Sequence, residues 1–247
     1  MRIDRDGYPF IAMGAVPAVL AGVARRPVWA LGFAGLAGAL GAFFRDPDRS
    51  PDRGDVDDDI VLAPADGKVM YAGPGQEGVA PPGDWQQVSI FLSVADVHIN
   101  RTPYGGTVTD VAYRPGKFHA AFKAESAHHN ERSEITVRRV VDGQERIVVF
   151  RQIVGVLARR VVTRVNPGQQ ITTGERIGLM KFGSRMDVFV PLAARVMVVE
   201  GKRVRAGETV LARFGQPEPS TVVSAPTSHH SEHAPLAQGR DVDGLDQ

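Results

Sequence analysis

The apolar and polar positions divide this chain into three zones. Two uncharged apolar runs come first, Tyr8 to Val23 and Pro27 to Phe44, with Arg25 and Arg26 between them. The second run reads PVWALGFAGLAGALGAFF and has about the ~17–25 residues that a membrane-spanning helix needs. The first lies at or below that limit. Gly32, Gly35, Gly38 and Gly41 would let the second helix pack closely. A cleaved signal peptide fits poorly, because a charged pair and a second apolar run follow the first. A buried core hairpin and a membrane-embedded or interfacial hairpin both remain open. The second is preferred, with Tyr8 and Trp29 at the interface and Arg45 and Arg49 at the exit to water.

From Ile60 the period shortens to two. Short strands are predicted around Ile60–Met70, Gln87–Val94, Gly106–Tyr113, Glu134–Val141, Arg146–Val154, Val156–Val165, Asp187–Val199 and Val204–Phe214. Asp142-Gly143 predicts a tight hairpin turn. One short helix fits around Ala120 to Ala127. The stretches VNPGQQITTGE (Val165–Glu175) and VVEGKRVRAGE (Val198–Glu208) share the form V-x-x-G-x-x-[IV]-x-x-G-E. Such paired turns occur in barrel-sandwich folds. The expected fold is mainly β: a barrel-sandwich-like domain behind an apolar N-terminal helical hairpin, with a disordered C-terminal tail. The expected organisation is a membrane-associating segment over residues 1–44, a Pro- and Asp-rich linker over 45–59, a β-rich domain over 60–215 and a tail over 216–247. His229, His230 and His233 in that tail form a weak metal tract without a fold to hold it, so no metal site is expected.

Composition narrows the chemistry. The chain has no cysteine, which excludes disulfides, thiolate nucleophiles and Cys-ligated zinc. The formal net charge of +1 leaves no electrostatic footprint for nucleic acid. Candidate reacting groups are Asp66 in APADGKV, His98 in DVHINRTP, His119 in GKFHAAF and Ser184 in MKFGSRMDVFVP. A histidine at a strand end can be a base near neutral pH or a structural residue. Gly183-Ser184 can be an ordinary turn. It also sets a serine hydroxyl beside the carbonyl of its own upstream peptide bond.

These motifs, in this order, with Asn130-Glu131-Arg132 and FFRDPDR after an apolar N-terminus, resemble the short prokaryotic form of the phosphatidylserine decarboxylase family. The resemblance runs from about Tyr8 to Phe214. It implies a self-cleaving proenzyme, cut between Gly183 and Ser184 into a β chain (1–183) and an α chain (184–247) that stay together as a heterodimer. Ser184 would become a pyruvoyl group, with no metal and no PLP. That group would form a Schiff base with phosphatidylserine and release CO2, giving phosphatidylethanolamine. His98 would transfer protons, and Asp66 would orient or charge-stabilise it. Arg101 stands where longer members carry a second histidine, and an arginine cannot serve as a base. Arg101, Lys117 and His119 are candidates for substrate binding. A diacyl substrate implies the bilayer as partner, with the protein on the cell membrane, peripheral or hairpin-anchored, and its catalytic domain on the cytoplasmic side. Two other readings remain: a non-catalytic, membrane-anchored barrel-sandwich adaptor module, and a pyruvoyl decarboxylase for a soluble amino acid.

Overall fold

The computed structural model describes residues 2–49, 57–123, 125–156, 160–181 and 183–215. The tail with its three histidines, part of the Asp-rich stretch, Phe182 and the middle of the predicted Val156–Val165 strand lie outside the described residues.

Both apolar runs are helical. A short 3-10 turn at Arg5–Gly7 leads into α1 (Tyr8–Val23), and α2 (Pro27–Phe43) returns after a turn in which Arg25 takes a left-handed conformation. Proline opens both helices, where its missing N–H costs nothing. The two helices meet at Gly14, where a Cβ would lie 2.7 Å from the Ala37 backbone nitrogen. Neither helix buries a stripe. Val23 and Val28 are each 80% exposed, and Val19, Trp29 and Leu31 point outwards as well. Among the described residues one helical stretch, Arg5–Val23, is long and apolar enough to cross a membrane, with mean hydropathy 1.3.

Strand β1 (Arg2–Ile3) pairs with β2 (Arg45–Asp46), which closes the hairpin at its base. In chain order β3 (Ile60–Leu62), β4 (Gly67–Pro74), β5 (Trp85–Leu92), β6 (Ile99–Arg101) and β7 (Gly106–Arg114) follow. A four-residue helix, α3 (Ser126–His129), then precedes β8 (Arg132–Val141) and β9 (Gln144–Val154). The chain continues through β10 (Val161–Thr163), β11 (Gln170–Ile171), β12 (Arg176–Met180) and β13 (Ser184–Pro191). It ends with β14 (Ala194–Val196), β15 (Arg203–Val204) and β16 (Val210–Phe214).

An eight-stranded antiparallel sheet runs β11-β7-β8-β9-β13-β5-β4-β15 and curls around the core. Three-stranded sheets β10-β12-β6 and β14-β16-β3 complete the domain. The inner face gathers Val88, Ile90, Phe150, Met186 and Val188, while Phe189, Val149 and Ile153 belong to a second cluster with Val79 and Ala127. A strand buried on both faces reads as an apolar run, which is why the predicted alternation in Asp187–Val199 is imperfect. That stretch is two strands, β13 and β14, parted at Leu192 and Ala193. The predicted helix lies further along, at Ser126–His129.

The Asp142-Gly143 turn joins β8 to β9 with positive φ at both residues (52° and 75°), the primed geometry that this pair favours. The two echo stretches supply β11 and β15, the opposite edges of the large sheet. Their second glycines, Gly174 and Gly207, face one another: a Cβ on Gly174 would lie 3.9 Å from the Gly207 Cα. The internal similarity is thus a pair of equivalent edge turns.

Arg164 ties the hairpin to the domain. Its guanidinium donates to both carboxylate oxygens of Asp4 at 2.7 Å and to Asp6 at 2.8 Å. Burial opposes the Asp4 charge, but the bonds from Arg164 and the Asp6 N–H outweigh it and hold the carboxyl below its usual range. Arg164→Ala should therefore lower unfolding stability by about 1–3 kcal/mol, since it strands a buried carboxylate. Arg2→Ala, which removes an exposed 3.9 Å pair with Asp48, should leave the midpoint unchanged. Denaturant titration of both variants in detergent checks this; equal midpoints would contradict it.

Candidate active site

The site sits where the chain passes from one sheet to another. Strand β12 ends at Met180 in the small sheet, and β13 starts at Ser184 in the large one. Gly183 takes φ +71°, a conformation that side chains with a Cβ rarely adopt, and this redirects the backbone. Ser184 then pairs with Leu92 of β5 on one side and Val154 of β9 on the other.

His98 reaches this crossing through strand register. Ile99 of β6 lies opposite Leu179 of β12, and the His98 carbonyl accepts from the Met180 N–H. The ring therefore stands over the turn that follows Met180. Its Nε2 is 3.3 Å from the Gly183 nitrogen and accepts that N–H. Its Nδ1 is 2.9 Å from the Asp96 carbonyl oxygen. A carbonyl can only accept, so Nδ1 carries the proton and Nε2 keeps its lone pair. The Phe43 ring, at the end of α2, covers the imidazole with centroids 4.3 Å apart. His98 is 2% exposed, and burial lowers its pKa from 6.5 to about 4. It is a neutral base at neutral pH.

Ser184 is fully buried, and its hydroxyl has no hydrogen-bond partner among the described residues. An unpaired buried hydroxyl costs about 1–3 kcal/mol. The preceding carbonyl is close-packed: a Cβ on Gly155 would lie 2.2 Å from the Gly183 oxygen and 3.2 Å from the Ala121 Cβ. Buried Asn130 holds this wall in place. Its amide donates to the carbonyls of His119 and Val154 and accepts from the His119 N–H.

The other sequence candidates are placed differently. Asp66 makes no hydrogen bond to His98. Arg49 grips its carboxylate through both terminal nitrogens, one at 2.7 Å, and the Ala206 N–H donates to it at 2.8 Å. Its charge still favours the protonated histidine weakly from a distance. The group that orients His98 is the carbonyl of Asp96, whose own carboxylate accepts from Ser93 and pairs with Arg203. Arg101 is buried and occupied: it donates to the carbonyls of Gly174 and Pro47 and lies 3.6 Å from Asp46. Lys117 is exposed, and its backbone pairs with His129 and Glu131. His119 is half-buried on the wall beside Gly155, with its ring edge-on to His129. Among the described residues no group of His, Asp and Glu is arranged to hold a metal ion.

The roles of Asp96, although it opens the DVHINRTP motif, and of Gly155 escape a reading of the sequence. One acts through a backbone carbonyl and the other through the lack of a side chain. Asn130 carried a signal, since it belongs to a motif already singled out.

The low pKa of His98 makes a sign-definite prediction. Between pH 6.5 and about 4 the unfolded chain binds this proton and the folded chain does not. That contribution to stability is whole above 6.5 and is lost as the pH falls through about 4. Unfolding titrations of Ser184→Ala protein should show the loss, and adding His98→Gln should remove that part of it. The same pH dependence with and without His98 would contradict the assignment.

Comparison with known proteins supplies the family. A family model described as phosphatidylserine decarboxylase matches residues 36–212. A Symbiobacterium thermophilum protein is 44% identical, covering 87% of this chain and 96% of that relative. A Paramagnetospirillum magneticum protein is 41% identical, covering 87% of this chain and 88% of the relative. A Mycolicibacterium smegmatis protein is 42% identical, covering 84% and 88%. All three are named phosphatidylserine decarboxylase proenzyme. By the family model and these relatives, the chain belongs to the phosphatidylserine decarboxylase family of carboxy-lyases.

Proposed function

We propose that the chain is a phosphatidylserine decarboxylase proenzyme that cuts itself between Gly183 and Ser184. The observation that carries this reading is the buried, unpartnered hydroxyl of Ser184, one residue after a glycine whose N–H meets a neutral histidine.

The Ser184 Oγ attacks the Gly183 carbonyl carbon. His98, once its Nε2 is released from the Gly183 N–H, takes the hydroxyl proton and returns it to the Ser184 nitrogen as the amide C–N bond breaks, leaving an ester. His98 then removes the Ser184 Cα proton, and the Oγ–Cβ bond breaks with Gly183 leaving as a carboxylate. The enamine left at position 184 takes up water and loses ammonia, which leaves a pyruvoyl group at the head of the α chain. Atoms balance without a metal or an added oxidant. The residues fit the group: β13 holds position 184 from both sides, and the orphaned hydroxyl accounts for its source. The pyruvoyl carbonyl supplies an electrophile for the substrate amine and a sink for the electron pair left by CO2. His98, whose Nε2 reaches the Gly183 N–H next to position 184, would supply the proton that completes phosphatidylethanolamine.

In this reading residues 60–215 carry the catalysis and the two chains remain joined by the ladders on either side of β13. The apolar hairpin holds residues 1–44 at the cell membrane, with the domain on the cytoplasmic side, where a diacyl substrate is within reach. The adaptor reading has in its favour only the paired turns, which form sheet edges here.

Two variants test the proposal. Ser184→Ala should leave a single uncut chain on a denaturing gel; two-chain processing in that variant would sink it. Gly155→Val should also block cleavage, because its side chain needs the space of the Gly183 carbonyl. Cleavage of a folded Gly155→Val protein at the wild-type rate would contradict the close packing assigned to that carbonyl.

A further inference from the structure

The junction between α2 and the domain is dense with arginines, and most are matched by acids. Arg49 pairs with Asp66, Arg101 lies near Asp46, Arg176 pairs with Asp46 and Asp48, and Arg164 pairs with Asp4 and Asp6. Arg45 differs. It follows directly on α2 and donates to the carbonyls of Ala42 at 2.6 Å and Ala95 at 2.8 Å. Those bonds engage two of the five donors on a guanidinium. No carboxylate among the described residues lies within 4 Å of it.

This half-buried cation stands on the rim of a groove of about 360 Å³. Leu36, Leu40 and Phe43 of α2 form one wall, and Val94 and Ala95 form the other. Val94 is 53% exposed there. The groove therefore opens along a helix whose outer surface is already apolar. Its inner end is the Phe43 ring that covers His98. Arg45 is near enough to His98 for its charge to disfavour the imidazolium. A fixed cation, an apolar trough and a reacting histidine thus follow one another over a short distance. A glycerophospholipid presents the complementary series: an anionic phosphodiester between its acyl chains and its amino-acid headgroup.

We propose that Arg45 binds the phosphodiester of the lipid substrate and that the groove between α2 and residues 93–96 receives the first part of one acyl chain. This rests on the decarboxylase reading for the identity of the substrate. With the phosphate at Arg45 and the chain lying back along α2, the headgroup is the part that points past Phe43 towards His98 and position 184. Two donors anchored on carbonyls hold the guanidinium in place, so little side-chain entropy is lost when the phosphate arrives.

Kinetics of processed enzyme test this with two substrates in detergent: dioleoyl phosphatidylserine and glycerophosphoserine, which has no chains. Arg45→Gln should raise KM about tenfold for both, with a smaller change in kcat, the effect of losing a charge-assisted phosphate contact. Arg45→Lys should recover part of that loss. Ala39→Phe, which fills the groove from α2, should raise KM for the diacyl substrate several-fold more than for glycerophosphoserine. Wild-type KM values in Arg45→Gln overturn the phosphate assignment, and equal effects of Ala39→Phe on the two substrates overturn the groove. Native mass spectrometry of uncut Ser184→Ala protein with dioleoyl phosphatidylserine serves where a variant is not processed. Lipid should be retained, and its retention should fall about tenfold with Arg45→Gln; unchanged retention, or detergent alone in the groove, overturns the proposal. A wild-type chain that releases no CO2 would sink the decarboxylase reading, and the lipid-retention comparison would still decide this one.

Discussion

The site depends on one contact, the hydrogen bond from the Gly183 N–H to Nε2 of His98. It forms only if the imidazole is neutral and turned the right way. Burial against Phe43 sets the charge, and the Asp96 carbonyl sets the tautomer. Neither requires a charged partner. A carboxylate bonded to the ring would raise its pKa and weaken it as an acceptor at moderately acidic pH. The fold instead occupies the nearby acids elsewhere: Asp66 with Arg49, and Asp96 with Arg203 and Ser93.

That contact in turn follows from the way two sheets share one chain. The β6–β12 ladder delivers His98 to Met180, and the chain must cross to the large sheet within a few residues. The positive φ of Gly183 makes the crossing possible. The strand it enters is held on both sides, so the bond before Ser184 lies between two rigid ladders. Breaking that bond in place would leave both new ends held by their neighbours. The hairpin contributes from the other direction. Phe43, at the end of α2, closes over His98, and the Arg164–Asp4 pair fixes the base of the hairpin to the domain. The apolar hairpin and His98 are therefore mechanically one unit.

Much of this was legible in the residues. The ends of both helices follow from the charge-free runs, and the Asp142-Gly143 hairpin follows from its turn pair. Gly183, Ser184 and His98 stand out through their motifs, and the structure brings them together. Asp66 and Arg101 show the limit of that approach. Both sit in motifs near the site, but which polar group each one meets depends on the segment after α2, which contributes Asp46, Pro47 and Arg49. The role of Gly155 depends on a contact with a residue far along the chain. A strand buried on both faces lacks the alternation that marks strand ends, so the break between β13 and β14 was not visible either.

The central claim is that Gly183-Ser184 is a bond the protein breaks by its own chemistry. Intact mass measurement of the purified wild-type chain tests it most directly. Two species are expected, one ending at Gly183 and one starting at position 184 that is lighter by one ammonia than simple hydrolysis would leave it. A single full-length mass, or a second fragment with an unmodified N-terminal serine, would contradict it.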